Sequence, residues 1–185
     1  MNTYDFDKTV RKGDSTVHFC LWCASRYPAV LLDLPAAVLA FMRAKRGRCT
    51  VTEAKQTLFR FLRRIPDVDA QVDRFWRKDE RFLYPWYLAQ KRPDDVIISA
   101  SPEFLLRPVC ERLGVTLLAS RVDANTGVFT GENCHGEEKV RRFYEAFPEG
   151  HADTFYSDSL SDTPMAREAE RAFRIVRGRV TDWPK

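Results

Sequence analysis

From Asp95 onward, short β-branched runs alternate with stretches of helical spacing. That alternation restricts the chain to an α/β fold, a mainly parallel sheet with helices on both faces. The run VIIS at 96–99 reads as a strand. Ser101-Pro102-Glu103 carries the N-cap and first-turn chemistry of a helix start, and Gly114 stands where that helix should stop. Further along we expect a strand over 115–119, a hairpin over 123–127, a helix over 136–146 and a strand ending at Phe155-Tyr156. A helix over 163–172 and a strand pair over 173–180, turning at Arg177-Gly178, complete the pattern.

Ahead of this lies one short strand, within 1–6, and then helical spacing almost throughout 15–92. Val17, Leu21 and Ala24 show it, as do Leu58, Phe61, Leu62 and Ile65, and again Val72, Phe75 and Trp76. The helical block interrupts the sheet after its first strand, so it is expected to stand above the strand ends as a cap. The division expected is a catalytic core from 1–14 and 81–185 with a helical cap over 15–80. With 185 residues, 44% of them apolar, the chain is long enough for one compact domain and such an appendage. Eight glycines, ten prolines and no low-complexity stretch argue against disordered and collagen-like classes.

The formal charge of +4 is too small to make nucleic acid the chief partner, and none is expected. Its distribution is uneven, because 43–64 holds eight basic residues against Glu53 alone, an excess of 8 − 1 = +7. Such a stripe is either a solvated helix face or an anion-attracting surface. The apolar stretch just before it, 27–42, is interrupted by Asp33 and Pro35 and is shorter than a spanning helix needs. It reads as a buried cap helix or as a segment resting in a bilayer interface, and the sequence leaves that choice open. Five cysteines, an odd number, with no secretory leader lead us to expect reduced, buried thiols in a cytoplasmic protein.

In an open α/β sheet, ligands bind beyond the carboxyl ends of the strands. Asp5 and Asp7 follow the first strand, Ser99 follows VII, Lys139 opens a helix, and Asp158 and Asp162 follow Phe155-Tyr156. Four clustered carboxylates repel one another unless a cation joins them, and Lys139 alone cannot neutralise them. A hard divalent ion such as Mg²⁺, which takes oxygen donors, is therefore expected.

The ordered segments DFDKT at 5–9, VIISASPEF at 96–104, GEEKV at 136–140 and YSDSLSD at 156–162 resemble the four motifs of the haloacid dehalogenase superfamily of phosphohydrolases. The helical insertion between the first two resembles the subgroup holding phosphoserine phosphatase and the C-type phosphatidylglycerophosphatases. The resemblance implies a Rossmann-like core with a C1-type helical cap and a Mg²⁺-dependent phosphatase working through an aspartyl-phosphate. It makes Asp5 the nucleophile and Asp7 the acid and base. Thr9, Ser99 and Lys139 become phosphate-binding, and Asp5, Asp7, Asp158 and Asp162 the metal set.

The substrate implied is a phosphorylated small molecule. A lipid phosphate, met through peripheral contact with an anionic membrane, and a non-catalytic phospho-ligand module are the alternatives. Lys8 and Ser157 replace glycines common in the family, and Lys8 is expected to be exposed. His18, His135 and His151 are expected to be surface or core polar residues. Trp76, Tyr84, Trp86 and Tyr87 are expected to pack where cap meets core.

Overall fold

The computed structural model describes residues 1–184. Strand β1 (Asn2–Tyr4) opens the chain, and β2 (Val96–Pro102) does not begin until 92 residues later. Between them the chain is helical: α1 (Ser15–Ala24), a 3₁₀ turn at Pro28–Leu32, α2 (Leu34–Lys45), α3 (Val51–Leu58), a 3₁₀ turn at Phe59–Arg64, α4 (Val68–Asp79), a 3₁₀ turn at Glu80–Phe82 and α5 (Pro85–Gln90). After β2 come α6 (Glu103–Leu113), β3 (Thr116–Ser120), α7 (Glu137–Ala146), β4 (Ala152–Ser157), α8 (Thr163–Glu168), β5 (Ala169–Val176) and β6 (Arg179–Asp182). The six strands form one sheet in the order β3-β2-β1-β4-β5-β6, parallel throughout except for the antiparallel β5–β6 pair.

The side-chain alternation of a strand divides the core between the two sheet faces. Val96 and Ile98 join Phe143, Phe155 and Met165 on one face. Ile97 and Tyr4 face the other way, into a cluster with Leu105, Leu106 and Val109 that continues through Phe19, Phe61, Phe75 and Trp76 of the helical segment. The helical segment and the sheet therefore share one apolar core. Burying each large side chain of that cluster contributes roughly 1.5–3 kcal/mol, and the Trp76 indole donates to the Leu105 carbonyl oxygen at 2.6 Å. Tyr87 packs edge-on to Tyr4 at 5.0 Å, while Tyr84 lies against Gly178.

Two elements differ from expectation. The sequence places a helix over 163–172, yet α8 ends at Glu168 because Ala169 to Arg174 pair with β4, Ala172 opposite Phe155. Ladder hydrogen bonds and contact with the core override the helical propensity of AREAERA. Ser101 does not cap α6: β2 continues to Pro102, and the Ser101 hydroxyl is used elsewhere. Gly114 ends α6 as expected, with φ 68° and ψ 38°. Arg177 and Gly178, with φ 51° and 79°, make the two-residue β5–β6 turn that positive φ at both positions favours. Cys20, Cys23, Cys110 and Cys134 are buried free thiols, and Cys49 is half-buried.

Candidate active site

The Asp5 amide donates to the Tyr156 carbonyl at 2.8 Å, prolonging the β1–β4 pairing by one residue. The chain then turns on Phe6, whose carbonyl oxygen accepts from the amides of Thr9, Val10 and Arg11. Lys8 completes the turn at φ 59°, the left-handed conformation that glycine adopts without strain. Its side chain is exposed and lines the same cavity as the two aspartates.

That cavity, about 200 Å³, lies beyond the carboxyl ends of the central strands. It brings together Asp5, Asp7, Ser99, Lys139, Asp158 and Asp162, six of the seven residues expected. Lys139 donates to Asp5 Oδ1 at 2.7 Å and to Asp162 Oδ2 at 2.8 Å. Ser157, standing where a glycine is common, donates to the same Asp162 oxygen at 2.7 Å. Asp7 sits at the N-terminus of α1, where its Oδ1 accepts from the Ser15 amide at 2.6 Å. Its Oδ2 accepts from the Ser101 hydroxyl at 2.5 Å and the Ser15 hydroxyl at 3.1 Å.

Thr9 is the seventh, and the structure gives it a different place. It is fully buried and outside the cavity lining, with its hydroxyl accepting from the Asp158 amide at 2.9 Å and reaching Asp5 Oδ2 at 3.5 Å. It braces two strand-end loops, between Asp5 and the Asp158 amide.

The electrostatics follow from burial. Asp5 is pushed up to about 7 by desolvation, with Lys139 opposing and Asp162 adding to it. Asp7 is pushed up to about 6, first by burial and then by Asp14, against the Ser101 and Ser15 donors that favour its charged form. Burial alone would lower Lys139, but Asp5 and Asp162 outweigh it and hold the ammonium above its ordinary range. Burial also raises Asp158, with Lys8 opposing.

Sequence reasoning did not assign Lys55, His135 or Asp14 to this cavity. Lys55 was one of the basic stripe, yet it projects from α3 to donate to the Ala100 carbonyl at 2.9 Å and Asn133 Oδ1 at 3.2 Å. A Thr50–Glu53 capping box fixes the start of that helix. His135, held below its ordinary range chiefly by burial, and Asp14 also line the site. Neither Lys55 nor His135 carried a spacing signal, since only the fold brings them to the strand ends.

The donor set suits a hard cation. Five carboxylates (Asp5, Asp7, Asp14, Asp158, Asp162) face three lysines (Lys8, Lys55, Lys139), a formal 3 − 5 = −2 before any anionic substrate arrives. Among the described residues no three Asp, Glu, His or Cys side chains gather as a ready metal cage. Mg²⁺ does not need one, because it commonly takes one or two carboxylates and completes its shell with phosphate and water. Asp5 and Asp158 with the Asp7 carbonyl could supply the protein's share.

A family model described as haloacid dehalogenase-like hydrolase matches residues 3–167. The chain is 30% identical to the protein CicA of Caulobacter vibrioides over 95% of its own length and 86% of that protein's. Among solved structures it resembles a protein of unknown function from Bordetella pertussis Tohama I, with TM-score 0.75 and 22% identity, covering 93% of this chain and 87% of that one. It also resembles a phospho-aspartyl intermediate analogue of phosphoserine phosphatase, with TM-score 0.60 and 15% identity, covering 92% and 83%. The motifs and the family match agree: the chain belongs to the haloacid dehalogenase-like hydrolases.

Proposed function

We propose that the chain hydrolyses a small phosphomonoester through an aspartyl-phosphate on Asp5, beneath a helical cap formed by 15–80. The observation carrying this reading is that Asp5 and Asp7 line one cavity with their carboxyls held differently, Asp5 by a buried lysine and Asp7 by three neutral donors. Burial raises both carboxyls, so Asp7 can carry a proton near neutral pH, while the Lys139 ammonium opposes that rise at Asp5 and favours the charged form that attacks.

An Asp5 carboxylate oxygen attacks phosphorus, the bond to the leaving oxygen breaks, and Asp7 gives that oxygen its proton. Asp7, now a carboxylate, takes a proton from water as the water oxygen attacks the phosphorus. The bond to Asp5 then breaks and inorganic phosphate leaves. Lys139 and Ser99, which line the cavity, would support the phosphoryl oxygens. Mg²⁺, held by Asp5, the Asp7 carbonyl and Asp158 with Asp162 acting through Lys139, would neutralise charge on those oxygens.

The cavity favours a compact polar leaving group, since its lining holds charged and hydroxyl side chains and no large apolar one. A lipid phosphate is the second reading, favoured by the uncovered apolar side chains of α2. The test is turnover of a generic aryl phosphate with Mg²⁺ by the wild type and by Asp5→Asn. Wild-type turnover that the variant lacks, with unchanged circular dichroism, is expected. Equal inertness of both folded proteins across a broad phosphate panel would leave a phospho-ligand binding module instead.

A further inference from the structure

Helix α2 is inside out. Its stripe toward the protein is small, with Ala37 buried and Ala40 and Ala44 half-buried, whereas Val38, Leu39 and Met42 are 59%, 58% and 47% exposed. The 3₁₀ turn before it leaves Leu31 and Leu32 uncovered as well. A surface helix ordinarily buries its large apolar side chains and shows charge to water. Neighbouring apolar side chains left in solvent mark a contact site.

The surrounding charge indicates what covers them. Asp33 is the only carboxylate within 28–48, and Arg64 holds it at 2.5 and 3.2 Å; the nearby Glu53 of α3 lies on the Ala40–Arg43 side of α2, where Thr50 holds its carboxylate. Lys45, Arg46 and Arg48 are exposed at its C-terminal end, and none enters an ion pair among the described residues. Aliphatic side chains that end in unpaired cations match acyl chains beneath anionic headgroups. No single described helix is long and apolar enough to cross a membrane, and Ser15–Ala24 and Pro28–Lys45 are bent by 118°.

We propose that α2 and the turn before it dock this protein onto an anionic lipid bilayer, lying in the interface plane. The surface lies outside the cavity lining, so the docking does not depend on what the cavity hydrolyses.

The test is sedimentation of the full chain with vesicles of phosphatidylcholine alone and of phosphatidylcholine mixed equally with phosphatidylglycerol. Binding to the anionic vesicles should exceed binding to the neutral ones by about tenfold or more and weaken with salt. Leu39→Gln with Met42→Gln should lower it at least tenfold, and Arg46→Gln with Arg48→Gln should remove the preference for anionic lipid. Both double variants should keep the wild-type rate on a soluble aryl phosphate. Negligible pelleting, equal pelleting with both vesicle types, or pelleting that Leu39→Gln with Met42→Gln leaves unchanged overturns the proposal. So does a concentration-dependent dimer that this variant abolishes without vesicle binding, which assigns the face to a second copy. An inert wild type that still binds vesicles refutes the phosphatase reading and leaves the docking in place.

Discussion

Lys139 donates to Asp5 at 2.7 Å with only 1% of its side chain in solvent, and the same ammonium reaches Asp162 at 2.8 Å. One buried cation thus bridges two carboxylates from loops at opposite ends of the chain. Lys139→Met strands both, and breaking a buried pair this way costs about 3–5 kcal/mol. The expected fall in Tm is more than about 6 °C, using 2–4 °C per kcal/mol for a chain of this size. Lys139→Met with Asp162→Asn removes the second charge too and should recover more than half of that loss without restoring turnover. A wild-type Tm in the single variant would show that the ion pair does not hold the site.

Ser101 donates to Asp7 Oδ2 at 2.5 Å. Its hydroxyl favours the carboxylate, so Ser101→Ala should raise the Asp7 pKa further above the ordinary aspartate range. An Asp7 that protonates the leaving group works below its pKa, so activity declines as pH rises through it. The alkaline limb of kcat/KM for an alkyl phosphate should therefore move to higher pH in Ser101→Ala. An aryl phosphate, whose leaving group needs no proton, should show little movement. An unmoved limb with the alkyl substrate would separate Asp7 from the acid role.

Adding Mg²⁺ should raise Tm, because a ligand that binds only the folded state stabilises it by about 2.7 kcal/mol at ~100 times its Kd. The sign of the pH effect follows from Asp5, whose carboxyl burial pushes up to about 7. Protons compete with the metal below that range, so the rise in Tm should be larger at pH 8 than at pH 6. Asp158→Asn should weaken it at both. Differential scanning fluorimetry with and without EDTA reads all three, and a rise that Asp158→Asn leaves intact would remove Asp158 from the metal set.

The mainly parallel sheet, the long helical insertion and the meeting of Asp5, Asp7, Ser99, Lys139, Asp158 and Asp162 were legible because strand ends and ordered motifs are local signals, whereas the strand order was not. Ser101 was misplaced, and Thr9 lies outside the cavity lining, for a shared reason. A short hydroxyl side chain fits a cap, a phosphate site or a brace equally well, and only its neighbours in space decide. Lys55 is the opposite case, since its eight-residue helix and capping box give no hint that its ammonium crosses to Ala100 and Asn133. The early end of α8 is a tertiary effect, fixed by a parallel partner that no local window contains.

Gly127 is where the 123–127 turn meets the helical segment most closely. Its φ is +73°, and a Cβ there would stand 2.4 Å from the Phe59 carbonyl oxygen, a backbone atom that cannot swing aside. Arg63 donates to the Thr126 carbonyl at 3.0 Å and Phe129 packs 5.8 Å from Phe59, so the turn fastens the same Phe59–Arg64 stretch that follows α3. Gly127→Ala meets both the left-handed strain, roughly 1–2 kcal/mol, and the clash, so the turn and Phe59–Arg64 must separate. Displacing that stretch carries Lys55 away from Ala100 and Asn133, at the rim of the cavity. The expected outcome is a Tm lower by about 4 °C or more together with a KM raised more than kcat is lowered, read from thermal melts and steady-state kinetics on one phosphomonoester. A lower Tm with unchanged KM would confine the turn to stability, and neither change would show that the helical segment is seated on the core without it.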